Sequence, residues 1–194
     1  MRVALEILNE HGADAVSMRA IAERLGVRMN TVVWHVKSKA RLVELLADGI
    51  VSGVVLQDLP DQWQDRAAEI ARRYRGALLA HRDGAAVVAG TYAAEPATLA
   101  VAEALVSALL EGGLSEREAA WTCWSIVYLA IGLTQEEQAL SGREQDLDVG
   151  ERPALRRVLP HLASASFDER FEYGLYRLLG LRADGLEPDA RGAP

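Results

Sequence analysis

Apolar residues recur along this chain at intervals of three and four positions, and no stretch alternates apolar with polar strictly enough for a half-buried strand. That periodicity confines the chain to an all-α architecture, which glycines, prolines and capping serines divide into about nine or ten helices. The first is expected over 2–11, with Val3, Leu5, Ile7 and Leu8 on one face and Gly12 as its stop. Ser17 caps a second over 18–25, ended by Gly26; a third spans 29–35; Ser38 opens a fourth that reaches about Val55. After a break at 56–60, a long helix is expected from Asp61 or Gln62 to His81, a short one after the turn at 82–84, and another over 96–111, where Pro96 suits a first turn. Ser115 with Glu118 and Ser166 with Glu169 have the spacing of capping boxes, opening helices to about Leu140 and Leu181. Residues 141–152 read as a mobile loop, and 154–163 as a short helix.

The formal net charge is −7, which does not suit a polyanionic partner until it is divided along the chain. Residues 1–55 carry seven lysines and arginines against six acids; the remainder carries fourteen against twenty-two. The basic share thus falls in an N-terminal unit, 1–55, ahead of a larger unit at 56–181 and a tail at 182–194 whose Gly, Pro and charge content reads as disordered. No apolar run approaches the roughly 18 residues of a membrane span. Residues 3–10 are amphipathic and contain acids, unlike a secretory leader, so a cytoplasmic location without a membrane partner is expected. The single cysteine, Cys123, admits no disulfide within the chain. His11, His35, His81 and His161 fall on different expected helices with no i, i+4 ligand pair, so neither metal nor cofactor is expected. No nucleophile, base and orienting group recur at a recognisable spacing, which argues against an enzyme.

Residues 18–36 have the steric logic of a helix-turn-helix, in which two short helices cross closely enough that one contact must be small. Ala22 is that contact, Gly26 supplies the turn, and Ile21, Leu25 and Val32 are expected to form the shared core. The segment SMRAIAERLGVRMNTVVWHVKSK, 17–39, resembles the DNA-binding domain of the tetracycline-repressor (TetR) family. A second segment, LLAHRDGAAVVAGT, 78–91, resembles the turn between the fifth and sixth helices in the tetracycline-repressor subfamily.

The resemblance implies a homodimeric transcription regulator whose third helix enters the major groove of double-stranded operator DNA. Arg28, Met29, Asn30, Thr31 and Val33 would then face the bases, with Arg19 reaching in from the second helix. Arginine can grip guanine and asparagine adenine in a bidentate way, which singles out Arg19, Arg28 and Asn30 for readout. Met29 and Val33 are either thymine-methyl contacts or merely exposed apolar residues. Thr31, Trp34, His35 and Lys39 suit phosphate contacts, which set register rather than sequence; for Trp34 and His35, packing against the neighbouring helix is the alternative. Family members commonly carry a basic arm before the first helix, whereas this chain opens almost at the helix itself.

The resemblance also implies an effector pocket in the second unit. Ile70, Tyr74, Leu78, Val88, Thr91, Tyr92, Leu105, Leu109, Trp121, Trp124 and Tyr128 are its candidate lining, core packing being the alternative for each. Val88 stands where the subfamily has a metal-holding histidine, and aliphatics stand at Val55 and Ile70 where polar anchors are expected. Of the site's polar types only Thr91 and Glu136 remain, so the effector is expected to be a small apolar or aromatic molecule other than magnesium-chelated tetracycline. A DNA-binding protein with no effector is the alternative. At 81–84, a turn with Asp83 capping the helix that follows is expected rather than a catalytic group. Stripes of Ala120, Trp124, Val127 and Ile131, and of Phe167, Phe171, Leu175 and Leu178, predict dimerisation through the helices at about 115–140 and 166–181.

Overall fold

The computed structural model describes residues 1–91, 94–140 and 148–181, without the side chains of 162–164. All regular structure among them is helical: α1 (Arg2–His11), a 3-10 turn (Ala13–Ala15), α2 (Met18–Leu25), α3 (Met29–Val36), α4 (Lys39–Val51), α5 (Trp63–Leu79), α6 (Gly84–Ala89), α7 (Pro96–Glu111), α8 (Glu116–Leu140), α9 (Pro153–Ser164) and α10 (Phe167–Leu179). Most of the loop expected at 141–152, and all of the tail expected at 182–194, lie outside the described residues. No helix among the described residues is long and apolar enough to cross a membrane.

Short polar side chains start α2, α4, α8 and α10 as expected. Ser17 Oγ accepts the Ala20 amide at 3.1 Å and Ser38 Oγ the Arg41 amide at 3.0 Å. Ser166 and Glu169 close a capping box; Ser115 and Glu118 exchange the same pair of bonds. Between α2 and α3 the chain reverses at Gly26, with φ +66°, a conformation that a Cβ resists.

Two expectations about ends and faces are corrected. Helix α4 stops at Val51, four residues short of Val55, where the Gly53 and Val54 amides bond to the carbonyls three residues back, Ile50 and Val51, instead of four. Arg73 of α5 donates to the carbonyls of Val55 and Gln57, both at 2.7 Å, and of Asp58 at 3.3 Å, gathering the link around one guanidinium. Leu25 is 51% exposed rather than in the helix-turn-helix core. It closes α2 at the point where the chain turns away, and Val27 beyond it is exposed too, so nothing covers it.

Helix α5 forms the centre of the body, packing against α4, α6, α7, α8 and α10. Its Arg75, only 6% exposed, donates to Glu137 of α8 at 2.6 Å and to Asp168 of α10 at 2.5 Å, with its guanidinium over the Phe171 ring. Arg72 adds a two-bond pair with Glu172, at 2.7 and 2.8 Å. Helix α4 belongs to both units, because Leu42, Leu46, Ala47, Ile50 and Val51 are buried while it packs against α1 and α3 on one side and α6 and α7 on the other. One hydrophobic cluster therefore runs from Ala4 in α1 to Leu179 in α10.

Candidate nucleic-acid interface and effector region

Ala22 is 3% exposed where α2 crosses α3, and Ile21 and Val32 complete the small core beneath. With Val32 facing inward, α3 turns its opposite side outward: Arg28, Met29, Asn30, Thr31, Trp34 and His35 are exposed, and Val33 is half-buried. Trp34 is 68% exposed, a large aromatic surface that packing within the chain does not account for. His35 meets its edge, the ring centroids 4.7 Å apart, and the Lys37 ammonium sits 5.1 Å from the Trp34 ring. Lys37 occupies φ +71°, ψ −48°, with the Ser38 amide bonded back to the Val36 carbonyl at 2.9 Å. This is a γ-turn of the rare, strained hand. It ends α3 and opens α4 within two residues, leaving Lys37 and Lys39 exposed beside an α4 N-terminus that has no acid in its first turn. Cations, an aromatic ring and short polar groups thus share one exposed end of the chain, a surface suited to phosphates around a read base edge.

The head is fastened to the body at two places. Arg41 of α4 forms a two-bond ion pair with Glu95, just ahead of α7, and the Arg41 guanidinium holds the Glu95 carboxyl below the usual carboxylate range. Two turns further along α4, Asp48 Oδ1 accepts both the amide and the hydroxyl of Thr98, at 2.8 and 3.0 Å. The second fastening is the turn between α5 and α6. Asp83 was expected to cap α6, but it makes no such bond; its Oδ2 accepts the Ala13 amide of the head at 2.9 Å. Beside it, Asn9 Oδ1 accepts the Arg82 amide at 3.2 Å and lies 3.1 Å from His81 Nδ1. Burial pushes the His81 imidazole below its usual pKa. Gln138 of α8 clips the same turn from behind, donating to the carbonyls of Leu78 and His81 at 3.2 and 2.8 Å and accepting the Ala85 amide at 3.2 Å. Only glycine fits at Gly84, where a Cβ would stand 2.3 Å from the Leu78 carbonyl oxygen.

The structure divides the expected pocket residues into two groups. Ile70, Leu78, Leu105 and Leu109 are at most 2% exposed and Tyr74 and Val88 are nearly as buried, so these six form packed core between α5, α6 and α7. Burial raises the Tyr74 phenol to about 12, and the Cys123 thiol beside it is pushed up as well. Thr91 spends its hydroxyl on the Val88 carbonyl at 2.9 Å. Tyr92 lies outside the described residues. Trp121, Trp124 and Tyr128 are corrected: they do not line a pocket with Tyr74 within one chain, because α8 turns Ala119, Cys123, Ile126, Ala130 and Thr134 inward and leaves those three on its outer face. There Trp124 stacks on Tyr128 at 5.5 Å. The stripe expected on α10 divides likewise, since Phe171 and Leu175 are buried in their own chain, Phe167 is half-buried and Leu178 faces outward, as does Tyr173, which the stripe did not include. An open cleft of about 340 Å³ lies along α4 and the outer side of α5, lined by Ile50, Val55, Arg73 and His81 among others, and none of the expected pocket residues borders it.

Residues 1–46 match the family model of bacterial regulatory proteins of the tetR family, and residues 57–187 match the tetracyclin repressor-like C-terminal domain. The chain belongs to the TetR family. Among curated relatives, the class A tetracycline repressor protein of transposon 1721 from Escherichia coli is 36% identical over 188 residues, covering 90% of this chain and 84% of that protein. The TetR-family protein ActR of Streptomyces coelicolor, solved in complex with actinorhodin, superposes with a TM-score of 0.79 at 26% identity over 92% of this chain and 93% of its own. BioQ, solved with its natural double-stranded DNA operator, gives 0.64 at 28% identity over 84% and 95%.

For a TetR regulator, two parts of this apparatus escape the sequence. The strain at Lys37 had a signal, since an N-cap serine at 38 directly after a helix to Val36 leaves one residue to redirect the backbone. The clamp by Asp83 and Gln138 had none, because their partners are distant in sequence.

Proposed function

We propose that the protein is a homodimeric repressor that holds a two-fold operator through its α2–α3 heads and releases it when a small apolar or aromatic molecule binds between α5, α6, α7 and α8. The observation that carries this reading is the exposed α3 surface, where Trp34, His35 and Lys37 make one cationic and aromatic cluster beside Arg28, Asn30 and Thr31. The relatives bound to actinorhodin and to an operator support the two halves of the reading. Arg19, Arg28 and Asn30 would read bases; Thr31, Trp34, His35 and Lys39 would hold phosphates; Met29 and Val33 would meet methyl groups. Trp121, Trp124 and Tyr128 on α8, with Tyr173 and Leu178 on α10, are exposed in one chain and would be covered by a second copy about a two-fold axis. Each head would then address one of two major grooves about 34 Å apart. The unit boundaries near 55 and 181, a cytoplasmic location and the absence of catalysis go with this reading.

The effector we propose is not magnesium-chelated tetracycline. Val88, Val55 and Ile70 are aliphatic where that ligand needs polar anchors, and Thr91 already gives its hydroxyl to the Val88 carbonyl. A second reading, a DNA-binding protein without an effector, is favoured by how tightly those residues already pack. Fluorescence-anisotropy titration against duplexes from around the protein's own gene, with competitor DNA and at two salt concentrations, tests the regulator. Salt-sensitive, sequence-selective binding at a two-fold site supports it, and equal binding to any duplex removes it. Release of that duplex by a library of hydrophobic metabolites separates the two readings.

A further inference from the structure

Three arginines stand in the helix-turn-helix, and the structure treats them differently. Arg24 spends both terminal nitrogens on Glu10 of α1, at 3.2 and 2.6 Å, and so ties α2 to α1. Arg28 has no ion pair among the described residues. Arg19 is held by one atom only: its Nε donates to Glu23 Oε1 at 2.9 Å, one turn along α2, with the side chains 81% and 66% exposed. Ile21 and Ala22 take the buried side of that helix, so this pair stands on the solvent side.

Exposed ion pairs one turn apart contribute little to stability. Orientation is the better account. A carboxylate on Nε fixes the plane of the guanidinium and leaves both terminal amino groups without a partner among the described residues, and those are the donors that a guanine O6 and N7 edge accepts side by side. A carboxylate so placed also opposes phosphates, which lowers affinity for DNA of any sequence. On an operator, Glu23 would therefore act with opposite sign on readout and on general affinity, which a residue serving only to build α2 would not do.

We propose that Glu23 is a positioning residue for sequence readout: by holding Arg19 through Nε, it makes one base pair of each operator half-site a guanine contact. The proposal rests on the operator-binding reading above. It is tested by selecting duplexes from a random library with the full-length protein and with its Arg19→Ala, Glu23→Ala and Glu23→Gln variants, then measuring anisotropy on the selected duplex and on all four bases at each position. The wild type is expected to enrich a two-fold motif in which Arg19→Ala loses one guanine per half-site. Glu23→Ala should blur that same position, its preference dropping from about tenfold to about threefold or less. Meanwhile its binding to random duplex should tighten by about twofold. Glu23→Gln, which keeps an acceptor oxygen, should fall between. A Glu23→Ala motif identical to that of the wild type, or a loss of affinity spread evenly over all sequences, overturns the proposal. If the wild type enriches no motif at all, the operator reading fails and this proposal falls with it, an outcome distinguished by its appearance before any variant is compared.

Discussion

Asp83 Oδ2 accepts the backbone amide of Ala13 at 2.9 Å, joining residues seventy positions apart. Since Gln138 grips the carbonyl of His81 and the amide of Ala85 on either side of Asp83, hydrogen bonds joined by the backbone of the turn lead from α8 to the 3-10 turn after α1. The opposite flank of the head is held through Arg41 with Glu95 and Asp48 with Thr98. A movement of α8 or α6 thus has a polar route into the head besides the packing of α4.

Replacing Asp83 by glycine isolates that route. Asp83 sits at φ +56°, where glycine is at ease, so the backbone gains while the carboxylate is lost. The lost bond is worth about 1 kcal/mol. Amide exchange at Ala13 should accelerate and operator affinity should weaken, with the melting temperature little changed. Full protection of the Ala13 amide in Asp83→Gly would show that the contact transmits nothing.

Gln138→Leu removes three hydrogen bonds at once: the Ala85 amide loses its acceptor, and the carbonyls of Leu78 and His81 keep only the backbone amides of His81 and Gly84. A cost of about 2 kcal/mol is expected. For a chain of this size that lowers the melting temperature by roughly 4–8 °C. Calorimetry showing a shift below a degree would mean that water takes over all three positions.

Lys37→Gly should stabilise the protein and impair it together. Relief of the positive-φ turn is worth about 1 kcal/mol, which raises the melting temperature by roughly 2–4 °C. The cation over Trp34 is lost, so DNA affinity should fall, and its dependence on salt should become shallower by about one unit of slope. Thermal melts and anisotropy at several salt concentrations read both effects on one preparation.

His81 makes the attachment of the head sensitive to acid. Burial lowers its folded-state pKa below 6.5, so below that pH the unfolded chain binds the extra proton more readily than the native one. The stability contributed by the neutral ring is present above about 6.5 and lost as the pH falls through the folded-state value. Melts between pH 7.5 and 5.5 should therefore fall more steeply for the wild type than for His81→Asn; parallel curves would assign the acid sensitivity elsewhere.

Helix starts are legible where one side chain does the work, as Ser17, Ser38 and Ser166 do, and so is the crossing at Ala22. Which side of a helix faces inward is legible only when polar and apolar residues separate. In α8 they do not: Trp121, Trp124 and Tyr128 look as fit for the interior as Cys123 and Ile126, and their exposure follows from which neighbours α8 meets. Phe171 and Leu175 pose the same ambiguity on α10. Leu25 and the end of α4 depend on what lies opposite them, respectively nothing and the guanidinium of Arg73. Distance in sequence hides Asp83 from Ala13 altogether.

The cluster that continues from Ala4 to Leu179 also sets a rule for anyone grafting specificities among relatives. A head cut from this chain before or within α4 would leave Leu42, Leu46, Ala47, Ile50 and Val51 bare on whichever piece kept them, since one helix serves two walls. Recombinants would have to take the whole of α4 together with the body residues it touches, or else confine the exchange to the exposed side chains of α2 and α3. New operators are thus more accessible to this scaffold by surface substitution than by trading modules.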